Sequence, residues 1–435
     1  MPASLSRREV LKWTSAGAGA AAVGGATWLV GREGAHTEQP APSVPTVREG
    51  QSGTTPPPAP LPAPVVANQD LSSRLLVVVE LDGGNDGLST LVPYGNGRYY
   101  DLRQRTAVAE GDVLALDDTV GLHAKLANLH RRGVAVMQGV GSAQPDGSHF
   151  EMMARWWSGD PLHANTFDTG FLGRLADAIG DPAAPAAAVS IGSGNHPALI
   201  SRKVGTLAVP DAGAIGYLVG AEDDAMREAF QRGYAAFGGA PGAAMIDLLR
   251  AVKQQSLSFA QAVGEFDEED DTYPGSALGQ GLRLAAQLLA TDLGVRIVHV
   301  PMNEDFDTHD DHPGRHPYLL ESLDTSLEAF FTDLDNRGLA DRVLVMTTSE
   351  FGRTARDNAS AGLDHGTASV ALLAGPVNPG LYGEHPSLDT LDDNDDLIAT
   401  MGFDQYYATV AEGWFGVPAG DVLAAGATPL DGVFS

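Results

Sequence analysis

The stretch Arg342-Val-Leu-Val-Met-Thr-Thr348, followed directly by Ser349-Glu-Phe-Gly-Arg-Thr354, is the part of the chain that decides the fold. Its apolar, β-branched first half predicts a strand buried on both faces. In open α/β sheets, ligands bind beyond the carboxyl ends of strands, so Glu350 and Arg353 in the polar second half become candidate site residues. Asp364-His365-Gly366 follows ten residues later and adds another carboxylate and an imidazole.

The same pattern recurs along the chain. Two other apolar runs are followed by polar side chains, Asp82-Gly-Gly-Asn-Asp86 in one case and Asp307-Thr-His309 in the other. Apolar runs predict strands at 75–81, 134–140, 187–191, 206–209, 295–300, 342–348 and 368–374. Helical spacing predicts helices at 122–131, 149–157, 171–179, 222–237, 243–266, 278–293 and 316–336. Strands that alternate with helices predict an α/β fold, with a largely parallel sheet and helices on both faces.

Composition narrows the classes of function. The 435 residues carry a formal net charge of −29, which argues against nucleic-acid binding because the chain could not neutralise phosphates broadly. An anionic substrate would need a local positive centre, such as metal ions or Arg353. The chain has no cysteine, which excludes disulfides, thiolate metal sites and cysteine nucleophiles.

The N-terminus resembles an export signal. Ser6-Arg7-Arg8-Glu-Val-Leu-Lys12 precedes a mildly apolar, Gly/Ala-rich segment, which is typical of twin-arginine export. We therefore expect residues 1–34 to be the signal segment, 35–71 a Pro-rich linker and 72–435 a single domain. The twin-arginine translocase is the expected partner during export, and the periplasm, the cell envelope or the medium is the expected location. An uncleaved segment would tether the protein to a membrane.

Aspartate and histidine residues behind two predicted strands indicate a metal site. Divalent ions bind carboxylate oxygens and imidazole nitrogens. Asp307 and His309 share one side of an extended segment because they are two residues apart. Asp364 and His365 offer two more ligands, and a two-metal site of this kind supports phosphoryl transfer. Zn, Mn, Mg and Ca all fit the ligand types. The alternative is that these side chains cap loops and form salt bridges with Arg353.

Three further residues have two interpretations each. Asp82 or Asp86, at the end of the first strand, would ligate a metal or would serve turn chemistry alone. Ser148 is expected at a helix N-cap, where backbone N–H groups favour anions. A serine there is either a nucleophile or only a cap.

Assembled in order, the motifs resemble those of the domain-of-unknown-function-1501 family of exported proteins. The matching elements are Leu81-Asp-Gly-Gly-Asn-Asp-Gly-Leu88, Val92-Pro-Tyr94, Leu122-His123, Ser148-His-Phe150, Asp307-Thr-His309, Ser349-Glu-Phe-Gly-Arg-Thr354 and Asp364-His-Gly366. The resemblance spans about residues 75 to 416, and the Ser-Glu-Phe-Gly-Arg-Thr element is specific.

That family looks like a branch of the alkaline phosphatase and sulfatase superfamily, which implies the same fold and a two-metal site. The metal ligands that this resemblance implies are Asp82 or Asp86, Asp307, His309, Asp364 and His365. The implied nucleophile is Ser148.

Two features of the chain depart from the superfamily pattern. Its late histidine ligand has only His385 as a candidate here, and no sulfatase-type nucleophile motif is present. Glu350 and Arg353 are the remaining candidate catalytic residues, with Arg353 as a bidentate ligand of a substrate anion.

The resemblance and the residues together indicate an exported metal-dependent hydrolase. Its substrate would be a phosphate or sulfate ester of a small molecule or a glycan. The alternative is a non-catalytic binding or assembly protein that retains the fold.

Overall fold

The computed structural model describes residues 62–63, 67, 70–164, 168–210, 272–424 and 426–435. The predicted signal segment, nearly all of the predicted linker and the predicted helices at 222–237 and 243–266 lie outside the described residues. All described residues belong to one compact unit, Pro56–Ser435.

Strands and helices alternate along most of the described chain. The strands are β1 Leu75–Glu80, β2 Leu91–Val92, β3 Val113–Ala115, β4 Gly121–His123, β5 Val134–Gly141, β6 Ala188–Ile191, β7 Thr206–Val209, β8 Ile297–Pro301, β9 Val343–Thr348, β10 Ser369–Ala374, β11 Gly380–Tyr382 and β12 Met401–Gly402. The α-helices are α1 Gly87–Thr90, α2 Gly97–Leu102, α3 Ala127–Arg132, α4 His149–Ser158, α5 Phe171–Ile179, α6 Ala277–Leu289, α7 His312–Arg337, α8 Phe403–Ala408 and α9 Ala419–Val422. Among the described segments, none is a helix with the length and apolar character needed to cross a membrane.

A nine-stranded sheet forms the centre, in the order β11-β5-β10-β9-β1-β8-β6-β7, with β12 also paired to β5. Strand β10 runs antiparallel to both of its neighbours, and the other pairs are parallel. The carboxyl ends of β5, β9, β1, β8 and β6 therefore meet at one edge of the sheet, and the amino end of β10 joins them there. The predicted α/β fold with a largely parallel sheet is confirmed.

Strand β1 is buried along its whole length because helices cover both faces of the sheet. Val77 and Val79 belong to an apolar cluster that includes residues of α6 and α7. Leu76 and Val78 belong to a second cluster with residues of α4, α5 and α8. Alternate side chains thus enter different cores, which explains why the strand is a continuous apolar run rather than an alternating one.

Some predicted boundaries need correction. The helix expected at 122–131 begins only at Ala127, because Leu122 and His123 are the end of β4, which lies in a small antiparallel sheet of order β2-β4-β3. Helix α7 begins at His312 rather than at 316. Pro313 did not delay its start, since a proline in the first turn removes an N–H that has no intrahelical partner.

A buried ion pair joins the turn after β1 to the segment after β9. Both oxygens of Asp86 accept hydrogen bonds of 2.9 Å from Arg103, and the two side chains are 1% and 0% exposed. Arg103 also donates to the carbonyl oxygens of Thr354 and Ala355, each at 2.8 Å. Burial works against ionisation of Asp86, yet Arg103 and His312 hold the pKa of this carboxyl well below its usual range.

We expect Arg103→Ala to lower the free energy of unfolding by about 3–5 kcal/mol, because it leaves the Asp86 carboxylate buried without its partner. Chemical denaturation followed by circular dichroism measures the change. The control is Arg131→Ala, which removes a surface pair with Glu328 in which the arginine is 65% exposed. The control should cost less than about 1 kcal/mol, and equal losses in the two variants would contradict a structural role for the buried pair.

Candidate functional site

Polar side chains from three connecting segments meet at the edge where the parallel strands end. Asp307 and His309 follow β8, Glu350 follows β9, and His149 is the first residue of α4 behind β5. His365 precedes β10, whose antiparallel direction brings its amino end to this edge. The fold therefore gathers residues that are far apart in sequence.

Three imidazoles point their Nε2 atoms at one place beside Asp307. His309 Nε2 lies 3.0 Å from Asp307 Oδ1, and His365 Nε2 lies 3.2 Å from the same oxygen. His149 Nε2 is 3.7 Å from Asp307 Oδ2 and 3.1 Å from His365 Nε2. His309 Nε2 and His365 Nε2 are 2.9 Å apart. We call these four residues the three-histidine cluster.

The opposite nitrogen of each ring faces a hydrogen-bond acceptor. His149 Nδ1 lies 2.7 Å from Glu350 Oε1, and His309 Nδ1 lies 2.9 Å from Asp364 Oδ1. His365 Nδ1 lies 2.7 Å from the carbonyl oxygen of Gly147. Ionised carboxylates and carbonyls only accept, so each Nδ1 carries the hydrogen and each neutral ring turns the lone pair of its Nε2 inward.

Three converging lone pairs repel one another unless a cation or a proton lies between them. Histidines that bind metals almost always donate their other N–H to a carboxylate or a carbonyl, which fixes the tautomer. All three rings of the cluster have that arrangement. The chemistry of this donor set fits a divalent metal ion: the ligand atoms of His149, Asp307 and His365 all lie within 4.8 Å of one another, and these three side chains are half-buried. His309 Nε2 adjoins this group through Asp307 and His365.

Charges around the cluster favour ionised carboxylates. The hydrogen bond that His149 Nδ1 donates to Glu350 raises the pKa of His149. Burial opposes ionisation of Asp307, but the hydrogen bond and charge of Arg353 outweigh it and lower the pKa of that carboxyl. The hydrogen bond from His309 lowers the pKa of Asp364. The carboxylates of Asp307 and Asp364 thus stay charged at neutral pH, in the form that binds cations and orients imidazoles.

Arg353 is fully buried and fixes the position of Asp307. Its Nη2 lies 2.6 Å from Asp307 Oδ1, and the guanidinium also donates to four backbone carbonyls. Two of these carbonyls belong to Gly83 and Gly84, which have φ angles of +105° and +83°. A Cβ at Gly83 would lie 2.5 Å from the backbone nitrogen of Asp307, so only glycine fits this turn. The guanidinium faces the protein and not the solvent.

Glu350 is likewise held inside the protein. Its Oε1 accepts hydrogen bonds from His149 Nδ1 at 2.7 Å and from the Gly83 backbone N–H at 2.9 Å. The side chain is 3% exposed. Glu350 therefore connects the turn after β1 to the first residue of α4.

Asp364, Glu350 and Arg353 lie outside the three-histidine cluster but contact its members. Four other residues predicted from the sequence also lie outside it. Asp86 is paired with Arg103, as described above, and Asp82 is half-buried, where burial followed by the charges of Glu80 and Glu350 raises its pKa to about 7. Ser148 is exposed and caps α4, its Oγ accepting from Glu151 N at 3.5 Å. His385 Nδ1 contacts the Pro386 carbonyl oxygen at 2.8 Å.

His149 was not predicted from the sequence, although the motif Ser148-His-Phe150 contains it, because the pattern of a helix N-cap singles out the serine. A second group, formed by Glu80, His196 and His299, was not predicted either. Two sequence features indicate this group: a histidine inside the apolar run of β8 and a glutamate at the end of the apolar run of β1.

The family profile described as "Protein of unknown function (DUF1501)" matches residues 131–410. No curated protein matches the chain. Among solved structures, the lipoteichoic acid synthase LtaP from Listeria monocytogenes is similar at 11% identity, over 82% of this chain and 77% of that chain, with a TM-score of 0.39.

Two further solved structures are similar at a comparable level. The PsFucS1 sulfatase from Pseudoalteromonas sp. is 11% identical over 82% of this chain and 73% of its own, with a TM-score of 0.37. A mutant of TAB5 alkaline phosphatase is 11% identical over 74% and 95%, with a TM-score of 0.35. At these identities and TM-scores, the likenesses say nothing about the substrate of this chain.

We expect Asp364→Ala to weaken Zn²⁺ binding by about 10- to 100-fold rather than to abolish it, because Asp364 orients His309 through Nδ1. His365→Ala removes a ligand of the cluster and should weaken binding further. Competition with a chromophoric chelator measures both affinities. Asp310→Ala, at an exposed neighbouring position, is the control and should bind like the wild type. Unchanged affinity in Asp364→Ala would contradict the orienting role.

Proposed function

Since this chain belongs to the family described as "Protein of unknown function (DUF1501)", whose description states no activity, we propose its function from the site: a metal-dependent hydrolase of a phosphate or sulfate ester. One observation carries the proposal. Three Nε2 atoms and the Asp307 carboxylate converge on one place, while an acceptor holds the Nδ1 atom of each ring.

His149, His309, His365 and Asp307 would hold the ion. Three imidazoles and one carboxylate suit Zn²⁺ or a similar transition ion better than Mg²⁺ or Ca²⁺, which prefer oxygen ligands. When bound, such an ion supplies Lewis-acid chemistry, polarising a phosphoryl or sulfuryl oxygen. We assign Glu350, Asp364 and Arg353 as positioning residues, because each contacts a ligand of the cluster and none of them occupies the centre.

An anionic ester suits the location for two reasons. The net charge of −29 repels anions, so only a local positive centre would bind one, and the proposed ion provides it. The ten-residue helix α4 also begins at this place, and the N–H groups and dipole of a helix N-terminus favour anionic groups.

Ser148 is the proposed nucleophile. It lies between Gly147 and His149, both of which contact His365, and its side chain is exposed. In the proposed reaction, Ser148 Oγ forms a bond to the phosphorus or sulfur atom while the bond from that atom to the alcohol oxygen breaks. The serine hydroxyl gives up its proton to solvent, and the leaving alcohol oxygen takes up a proton in return. Water then cleaves the seryl ester, which releases phosphate or sulfate and restores the hydroxyl.

One observation favours a second candidate function, a binding or assembly protein without turnover. Within the described part of the chain, the Ser148 hydroxyl oxygen accepts a hydrogen bond from the Glu151 N–H. No imidazole or carboxylate of the described residues forms a hydrogen bond with this hydroxyl that would let it accept the proton. A metal site of the same composition would then bind an anionic ligand without cleaving it.

We expect Ser148→Ala to lower kcat for p-nitrophenyl phosphate or p-nitrophenyl sulfate at least about 100-fold in the Zn²⁺-loaded protein, with metal content unchanged. Ser148→Asn is the matched control for helix capping, because asparagine is a good N-cap and its amide does not attack phosphorus or sulfur. Both variants should lose turnover if Ser148 reacts. Full turnover in Ser148→Ala would reject the nucleophile. A fully metal-loaded wild type without turnover on either ester would favour the binding function.

We also propose export by the twin-arginine route, on the basis of Arg7 and Arg8 before the apolar segment. Replacing both with lysine should keep the full-length protein in the cytoplasmic fraction, as measured by cell fractionation and immunoblotting. Arg32→Lys, which lies outside the pair, is the control and should be exported. Normal export of the double variant would contradict this route.

A further inference from the structure

A second group of metal-ligating side chains lies at the same edge of the sheet, apart from the three-histidine cluster. Glu80 is the last residue of β1, and His299 lies in β8, which pairs with β1. His196 follows β6, which pairs with β8 on its other side. We call these three residues the Glu80 cluster, and the proposed function makes no use of it.

The ligand atoms of the Glu80 cluster already face one another. Glu80 Oε2 lies 2.8 Å from His299 Nε2 and 3.0 Å from His196 Nε2. The two imidazole rings are stacked, with centroids 3.8 Å apart. The other carboxylate oxygen, Oε1, accepts a hydrogen bond of 2.7 Å from Trp157 Nε1, which fixes the orientation of the carboxylate.

Next to the cluster is a cavity of about 20 Å³, large enough for one small ion or one water molecule. Its lining contains the carboxylates of Glu80 and Glu350 and the rings of His196 and His299, and it contains no lysine or arginine. The side chains of Glu80 and His299 are 11% and 3% exposed. The two imidazoles hydrogen-bonded to Glu80 are the only basic side chains among the described residues lining the cavity, and a cation bound between the three side chains would stabilise the buried carboxylate in their place.

We propose that the Glu80 cluster is a second metal site, which binds a divalent transition ion such as Zn²⁺ through Glu80, His196 and His299. Two histidines and one carboxylate form a recurrent ligand set for such ions, which leaves a further coordination position open. The cavity supplies the space for that position. The ion takes the place of the hydrogen that each Nε2 shares with Glu80.

The Glu80 cluster should bind metal more weakly than the three-histidine cluster. In the three-histidine cluster every Nδ1 has an acceptor, whereas His299 Nδ1 has no hydrogen-bond partner among the described residues. His196 Nδ1 faces a donor, the Ala198 backbone N–H, at the long distance of 3.4 Å. Loss of such orienting partners typically costs 10- to 100-fold in affinity, so we expect a difference of about that size.

The test is the zinc content of the full-length protein, loaded with Zn²⁺ and freed of unbound ion, measured by plasma mass spectrometry. We expect about two equivalents in the wild type and about one in each of Glu80→Gln, His196→Asn and His365→Ala. Titration with a chelator should remove zinc in two steps. The weaker step should be absent in His196→Asn, and the tighter step should be absent in His365→Ala.

His163→Asn is the matched control, since His163 is 67% exposed and its ring contacts Asp160, outside both clusters. This variant should keep two equivalents of zinc. Circular dichroism verifies folding, and if Glu80→Gln does not fold, the half-buried His196 decides the question. Two equivalents retained in His196→Asn, or a single wild-type equivalent that His365→Ala removes, would overturn the second site. If the wild type binds one equivalent of zinc, and His365→Ala keeps that equivalent while His196→Asn loses it, the result would support metal binding by the Glu80 cluster. The same result would contradict metal binding by the three-histidine cluster.

Discussion

The buried guanidinium of Arg353 is the constraint on which the rest of the site depends. A fully desolvated positive charge is costly unless hydrogen bonds surround it, and here four carbonyls and the Asp307 carboxylate do so. The same contacts link the turn after β1, the loop after β8 and the segment after β9. Because the charge must remain satisfied, these three loops have to keep their relative positions, and Asp307 keeps its place beside the histidines.

The antiparallel direction of β10 is equally important for assembling the site. Nearly all of the large sheet is parallel, which places loops from β1, β5, β6, β8 and β9 at one edge. If β10 were parallel too, the segment before it would reach the opposite edge. Its antiparallel direction instead brings Asp364 and His365 to the same edge as Asp307 and His309. The site therefore depends on a topological exception within an otherwise regular sheet.

The three-histidine cluster and the Glu80 cluster have similar ligands but differ in the hydrogen-bond partners of their imidazole Nδ1 atoms. In both, imidazole Nε2 atoms approach a carboxylate at about 3 Å. In the three-histidine cluster, carboxylates and a carbonyl stand behind the rings and turn the Nε2 lone pairs inward. In the Glu80 cluster, one Nδ1 faces a backbone N–H and the other has no partner among the described residues. The partner on the far side of each ring, more than the count of histidines, sets the order of affinities that we infer.

The sequence by itself determined the fold class and most of the strands, because apolar runs such as that of β1 leave few alternatives to a doubly covered sheet. It also placed Asp307, His309 and His365 in one candidate site, since each adjoins a predicted buried strand. It did not distinguish the roles of neighbouring residues: Ser148 and His149 are adjacent, and only the direction of the side chains showed which one meets His365. Likewise, the sequence alone does not show whether the charged side chains of Asp86 and Arg353 are exposed, while the tertiary structure buries both against partners on other elements of the fold. Long-range contacts decide burial and hydrogen-bond partners, and no local pattern encodes them.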